Sequence, residues 1–317
     1  MRVIVIGGTG HIGTFLVPRL VEAGHEVIVA SRGKRAPYVP NHAWDSVQHI
    51  EIDRASEDAA GTFGLRIAAL EADAVVDLIC FTPGSAQQLV DALQPRQTLL
   101  LHCGTMWVHG VPTTVPATED IPRNPFGDYG IQKAAIEQLL LESTRHGAAR
   151  AVVLHPGHMV GPGWIPLNPA GHFNPEVFTR IARGELLQLP NQGMETVHHV
   201  HADDVAQAFE LAMTNPDNAV GESFHVVSPA PLTLRAYAEA MFEHFGHPAR
   251  LGFLPWKEWR HTVSEEEAAA TWDHIAHSPN GSIAKARQRL GYEPRYSSLE
   301  AVIESVSSLV AAGLVAL

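Results

Sequence analysis

Val3-Ile4-Val5-Ile6-Gly7-Gly8-Thr9-Gly10-His11-Ile12-Gly13 decides the reading of this chain. An apolar run breaks into glycines, and an amphipathic helical pattern follows at once. This is the pattern of a strand, a tight turn and a helix that together hold a dinucleotide pyrophosphate. Gly7 suits the turn, Gly10 lets the backbone approach phosphates, and Gly13 lets the helix pack closely on the strand. The free N–H groups at the helix start, around His11, Ile12 and Gly13, would face the anion. The competing reading is a structural turn without a ligand.

Working outward, Arg2–Ile6 and Glu26–Ala30 read as buried strands with a helix over 11–23 between them. A third strand is expected at His49–Ile52, a helix over 57–70, and a fourth strand at Ala74–Ile79. A helix near 84–94, a strand at Thr98–His102, a helix over 128–146 and a strand at Ala151–Leu154 follow. Strands alternating with helices predict an α/β fold, a doubly wound parallel Rossmann sheet. After Pro156 the pattern loosens, then resumes with a helix from Asp203 and a strand at Ser223–Val227. Residues 1–156 plus 196–228 are therefore assigned to the dinucleotide-binding domain. Residues 157–195 plus 229–317 are assigned to a smaller, largely C-terminal substrate lobe.

The 317 residues are 45% hydrophobic and 18% charged, which suits a globular protein with a sizeable core. No apolar run is long enough to span a bilayer, and Met1-Arg2 runs directly into a strand, so a cytoplasmic protein is expected. Cys80 and Cys103 lie in apolar segments and read as reduced core thiols. The net charge of −12 argues against a nucleic-acid partner.

The second strand ends Ser31-Arg32-Gly33-Lys34-Arg35. Ser31 stands where an acid would hold the ribose hydroxyls of NAD, and Arg32 offers a forked partner for a phosphate. NADP is therefore expected over NAD, with NAD possible. Asp53-Arg54, after the third strand, either cradles the adenine edge or forms an ordinary loop salt bridge.

Tyr129 and Lys133 stand one helical turn apart on one face. Free tyrosine titrates near pH 10, and a neighbouring ammonium would lower that value. The phenol would then exchange a proton with a substrate hydroxyl or carbonyl while hydride moves. Thr105 is the hydroxyl in Leu101–Gly110, the end of the preceding strand, and is assigned to orient the reacting oxygen. The alternative for Thr105 is a residue that caps a turn.

At this point the chain resembles the extended short-chain dehydrogenases/reductases of the NAD-dependent epimerase/dehydratase type. The resemblance rests on Gly7-x-x-Gly10-x-x-Gly13, Thr105 five residues before Gly110, and Tyr129-x-x-x-Lys133. It also rests on His155-Pro156 followed by Gly161-Pro162, on His199–Ala206, and on Leu290-Gly291-Tyr292-Glu293-Pro294. It implies that Tyr129 is the general acid/base, that Lys133 holds the nicotinamide ribose and tunes Tyr129, and that Pro156 packs by the nicotinamide. It implies hydride transfer at a hydroxyl-bearing carbon of a sugar-like small molecule, by an oxidoreductase or an epimerase, with a homodimer possible. Glu195 stands where many nucleotide-sugar members carry an arginine, which argues against a standard UDP-sugar epimerase unless Arg180 or Arg260 substitutes. The rival readings are a nucleotide-sugar epimerase or dehydratase, and a non-catalytic NADP-binding regulatory or RNA-binding relative.

His158, His172 and Asn174 lie in the loop-rich stretch expected to cover the cleft and are the candidate substrate contacts. Trp107 and Trp164 could wall the pocket, with core packing the preferred role for either. The cluster His198, His199 and His201 lacks acidic or cysteine ligands at zinc spacing, so no metal is expected. Asp203 and Asp204 are read as caps of the following helix, and Ser264 as the cap of another.

Overall fold

The computed structural model describes residues 1–317. Strand β1 (Arg2–Ile6) leads through the glycine turn into α1 (His11–Glu22), then β2 (Glu26–Ser31) and β3 (Gln48–Glu51). Helices α2 (Arg54–Ala59) and α3 (Phe63–Ala68) precede β4 (Ala74–Asp77) and α4 (Pro83–Leu93). Strand β5 (Leu99–Cys103), helix α5 (Gly127–Arg145) and strand β6 (Arg150–Pro156) follow. The single helix expected over 57–70 is two, because Gly61 takes a φ of +68° between them and breaks the hydrogen-bond run.

Beyond β6 come β7 (His158–Val160), α6 (Glu176–Ala182), β8 (Leu187–Pro190), β9 (Thr196–Val197) and β10 (His199–His201). Helix α7 (Ala202–Thr214) and strand β11 (Ser223–Val226) return the chain to the main sheet. That sheet has seven strands in the order β11-β6-β5-β4-β1-β2-β3, all pairs parallel. Strand order reverses between β1 and β4, so the crevice above their carboxyl ends is where a ligand belongs. No helix is long and apolar enough to cross a membrane.

The glycine turn is built as its chemistry requires. Gly7 sits at φ +80°, and a Cβ on Gly13 would stand 2.0 Å from the Gly8 carbonyl oxygen, so α1 cannot approach β1 with any side chain there. Apolar residues from β1, β2, β4 and β5 pack on both faces of the sheet.

A third apolar cluster lies outside the sheet and joins α6 and β8 to the helices over 234–244 and 298–311. The packing departs from the expected two-part division in two places. Ile283, Ala286, Leu290 and Tyr292 pack into the sheet's core, and Val197 joins the outer cluster. Apolar pairing across space, not chain position, sets these memberships.

The caps of α7 also differ from expectation. His201 is the N-cap, its Nδ1 accepting from the Asp203 amide at 3.0 Å. Asp203 pairs instead with Arg19, at 2.8 Å. Asp204 accepts from the backbone amides of Arg295 and Tyr296, at 2.7 and 3.1 Å, and ties that distant segment to α7. Ser264 does cap its helix, in a reciprocal box with Glu267.

Candidate active site

Two adjoining cavities run along the carboxyl ends of the strands. The first, about 590 Å³, is lined by Gly7, Thr9, Gly10, Ser31, Arg32, Lys34, Asp53 and Arg54, among others. The second, about 690 Å³, is lined by Thr105, Tyr129, Pro156, His158 and a ring of aromatic and aliphatic side chains. Arg35 lines both, so the two adjoin at this side chain and are treated together as one cleft.

In the first cavity α1 starts at His11 with Gly10 as its N-cap, without a side-chain cap and with no acid in its first turn. The positive end of the helix thus faces the cavity uncompensated, and the residues fit a pyrophosphate. Arg32, Lys34 and Arg35 are exposed and form no ion pair within the chain. Asp53 caps α2 through the Ser56 amide, at 3.3 Å. Arg54 is buried in a polar knot with Asp77, Asp58 and Ser85. Both line the cavity, but both side chains already have partners. The His11 side chain lines neither cavity; it is buried behind Trp164, stacked on it with centroids 4.6 Å apart.

Thr105, Tyr129 and Lys133 converge where the second cavity meets the sheet. Lys133 is buried, and its Nζ donates to the carbonyls of Cys80 at 2.8 Å and Cys103 at 2.6 Å. An ammonium has three donors, so one remains without a partner in the chain. Burial pulls the Lys133 pKa below its ordinary value, against the opposing influence of Cys103, Cys80 and Asp77. Its Nζ lies 5.9 Å from the centroid of the Tyr129 ring and is engaged at the strand ends.

The expected depression of Tyr129 is therefore corrected for the chain alone. Burial pushes its phenol up to about 12, assisted by Cys103 and opposed by a hydrogen bond with Thr105. Tyr129 accordingly rests as the neutral phenol. Cys80 and Cys103 are free and buried, and burial raises both thiols to about 11.

Thr105 both caps a turn and faces Tyr129. Its Oγ accepts from the Trp107 amide at 3.3 Å, which leaves its proton to donate. Its own amide donates to His155 Nδ1 at 3.0 Å. That bond places the imidazole proton on Nε2, which donates to Glu137 at 3.0 Å. Arg123 clasps Glu137 through two nitrogens, at 2.8 and 2.6 Å. Burial pushes the Glu137 carboxyl up, yet His155 and Arg123 outweigh it and hold the carboxyl well below the usual range. Glu137 lies on α5, one turn beyond Lys133, so the same helix carries Tyr129 and anchors the Thr105 loop. The sequence reading missed this chain. Its signal was Glu137 at the eighth position after Tyr129 on one helix face.

Of the candidate substrate contacts, His158 lines the cleft. His172 and Asn174 do not. His172 is buried against Asn168, and the Asn174 amide is bound to Glu267 at 2.6 Å. Phe173 between them lines the cleft instead. The assignment of Trp107 and Trp164 to core packing is corrected too, because both line the second cavity. Trp107 lies in the short helical turn after β5 and Trp164 in the segment after β7, so they meet at the cavity only in the folded chain, with no local pattern. Tyr38 was also missed. It meets Trp164 edge-on at 6.0 Å.

His198, His199 and His201 each engage a separate partner: Ser228, Leu167 and Glu304. Glu195 accepts from Asn191 outside the cleft. Arg180 bonds the Leu186 carbonyl, and neither it nor Arg260 lines the cleft.

The sequence pattern described as NAD dependent epimerase/dehydratase family matches residues 3–226, more than half of the chain. The chain belongs to this family. The family match spans the glycine turn, Thr105, Tyr129, Lys133 and Pro156. Among the curated proteins, 2'-dehydrokanamycin reductase of Streptomyces kanamyceticus is 28% identical over 279 residues, 87% of this chain and 76% of that protein. The dTDP-6-deoxy-L-talose 4-dehydrogenase (NAD(P)(+)) of Kitasatospora kifunensis is 27% identical, covering 96% of this chain and 94% of that one. Among solved structures, UDP-glucose 4-epimerase of Thermotoga maritima superposes with a TM-score of 0.75 at 22% identity. It covers 98% of this chain and 99% of its own. That likeness establishes the shared epimerase/dehydratase fold.

Proposed function

We propose that this chain uses NADP(H), bound along the two cavities, to interconvert a carbinol and a ketone on a sugar-like molecule. As a member of the epimerase/dehydratase family, with a reductase and a dehydrogenase among its relatives, it is an NAD(P)-dependent enzyme of hydride transfer. The preference for NADP is supported by Ser31 at the end of β2 and by the unpaired Arg32, Lys34 and Arg35 in the first cavity. The free, buried cysteines support a reducing compartment, in keeping with a cytoplasmic protein.

The observation that carries the reading is the meeting of Thr105 and Tyr129 at one end of a cleft whose other end is the glycine turn, with the Lys133 Nζ 5.9 Å from the Tyr129 ring centroid. A nicotinamide held in this cleft would supply or accept the hydride. Tyr129, neutral at rest, donates its proton to the carbonyl oxygen as the carbon gains hydride, so that C=O becomes CH–OH. The reverse breaks the C–H and O–H bonds and returns the proton to the Tyr129 oxygen. Thr105 holds the reacting oxygen by a hydrogen bond, and Lys133 holds the ribose by its remaining donor. Pro156 lines the cleft beside them, and its missing N–H leaves that edge apolar.

The test is a titration of purified protein with NADPH and NADH, followed by turnover of Tyr129→Phe. Tight NADPH binding, weaker NADH binding and loss of turnover with cofactor binding kept are expected. Full turnover in Tyr129→Phe would refute the role.

A further inference from the structure

The cavity around Tyr129 also speaks to what it admits. Of the residues that line it, only Arg35 is charged, and Arg35 is shared with the first cavity. A diphosphate carries two negative charges, and moving them into a low-dielectric cleft requires matching donors or cations. The rest of the lining supplies rings and hydrocarbon. Trp107 is backed by His277, stacked at 4.1 Å, and Trp164 by His11 at 4.6 Å. Met159, Leu167 and Phe173 complete the apolar wall.

One polar group in that wall has no partner. Both ring nitrogens of His158 are buried and make no hydrogen bond. Burial and the neighbouring His274, His199, His198 and His277 hold this ring neutral, well below its ordinary pKa. A neutral imidazole offers one donor and one acceptor, the complement of a hydroxyl. A buried polar group left unpaired is costly, and a turn of the imidazole toward the cleft it lines would let a ligand hydroxyl pair it.

We infer that the substrate is a phosphate-free ring polyol, a free sugar, cyclitol or glycoside or the corresponding ketone, seated between Trp107 and Trp164 with a hydroxyl on His158. This rests on the hydride-transfer reading above and goes beyond it by excluding nucleoside diphosphate sugars from the site. Ring C–H edges pack on the indoles, as apolar faces of ring polyols do on aromatic surfaces. The balance of the reaction is unchanged: carbinol plus NADP⁺ gives ketone, NADPH and a proton.

The experiment uses the full chain loaded with cofactor. UDP-glucose and UDP are titrated calorimetrically. A panel of methyl glycosides, myo-inositol and aminocyclitol glycosides is then followed by tryptophan fluorescence and by NADP⁺ reduction. Expected are no binding of UDP or UDP-glucose below about millimolar, and binding with turnover for at least one panel compound. His158→Phe should then raise KM about tenfold, the loss of roughly one hydrogen-bonded pair, with kcat and NADPH affinity within about twofold. Micromolar binding of UDP-glucose, a panel without a binder, or an unchanged KM in His158→Phe overturns the inference. Failure of NADPH binding, or full turnover in Tyr129→Phe, defeats the hydride-transfer reading instead, so the two failures are told apart.

Discussion

The two halves of the cleft are made of opposite materials. The half above β1 and β2 is glycine, exposed cation and uncapped helix terminus. The half above β5 and β6 is indole, phenol, imidazole and hydrocarbon, with one shared arginine. The first is built from consecutive residues at a strand-to-helix turn, so its chemistry is local. The second is assembled from β5, α5, β6 and loops as far apart as Tyr38 and Pro279, so its chemistry exists only after folding. On the proposed function, anion holding belongs to one half and ring recognition with proton transfer to the other.

The sharpest separation of the halves comes from Tyr129→Phe. Turnover should fall about a hundred- to ten-thousand-fold, with NADPH affinity retained. Steady-state kinetics beside a cofactor titration check this, and equal loss of both would show that the halves are not separable. Next in size is Glu137→Ala. Breaking a buried ion pair leaves Arg123 and His155 without their partner and should cost about 3 kcal/mol of stability. Denaturant unfolding measures it. Because His155 holds the Thr105 amide, kcat in the folded fraction should drop while NADPH affinity stays.

Arg32→Ala should then weaken NADPH about tenfold and leave NADH nearly untouched, by loss of a charged hydrogen bond to the 2′-phosphate. Arg35→Ala, at the junction, should affect both cofactor affinity and substrate KM. Parallel titrations with both dinucleotides decide.

The last test is a pH effect, which acts on several rings at once. Burial, as the first cause, holds His11, His109 and His199 near about 3 and His198 and His274 near about 4. Their folded values lie below the unfolded value of about 6.5. The unfolded chain therefore binds more protons over that interval, and stability present above about pH 6.5 is lost as pH falls toward 4. Most of these rings underlie the aromatic half, so Tm measured across that range should fall together with the tryptophan signal of the cleft. A flat Tm would break the assignment.

The same contrast explains how much was legible in the sequence. The glycine turn, the parallel sheet, Thr105, Tyr129 and Lys133 were readable because spacing along a strand or one helix face fixes where side chains point. The direction of the Tyr129 pKa was not, because burial raises it and the Lys133 ammonium is bound to two carbonyls at the strand ends. Phe173 rather than His172 or Asn174 faces the cleft because Asn168 binds His172 and the Asn174 backbone within the loop and Glu267 of the helix over 265–277 takes the Asn174 side chain. Trp107 and Trp164 were misassigned because an indole that packs on an imidazole and an indole that walls a cavity have the same sequence signature.

The insertion of Ile283, Ala286, Leu290 and Tyr292 into the sheet's core has a practical consequence. A fragment ending at residue 228 would lose part of its own interior, and Asp204 would lose the amides it holds at 295 and 296. The chain should melt in one cooperative step, and neither portion should survive excision as an independently folding piece.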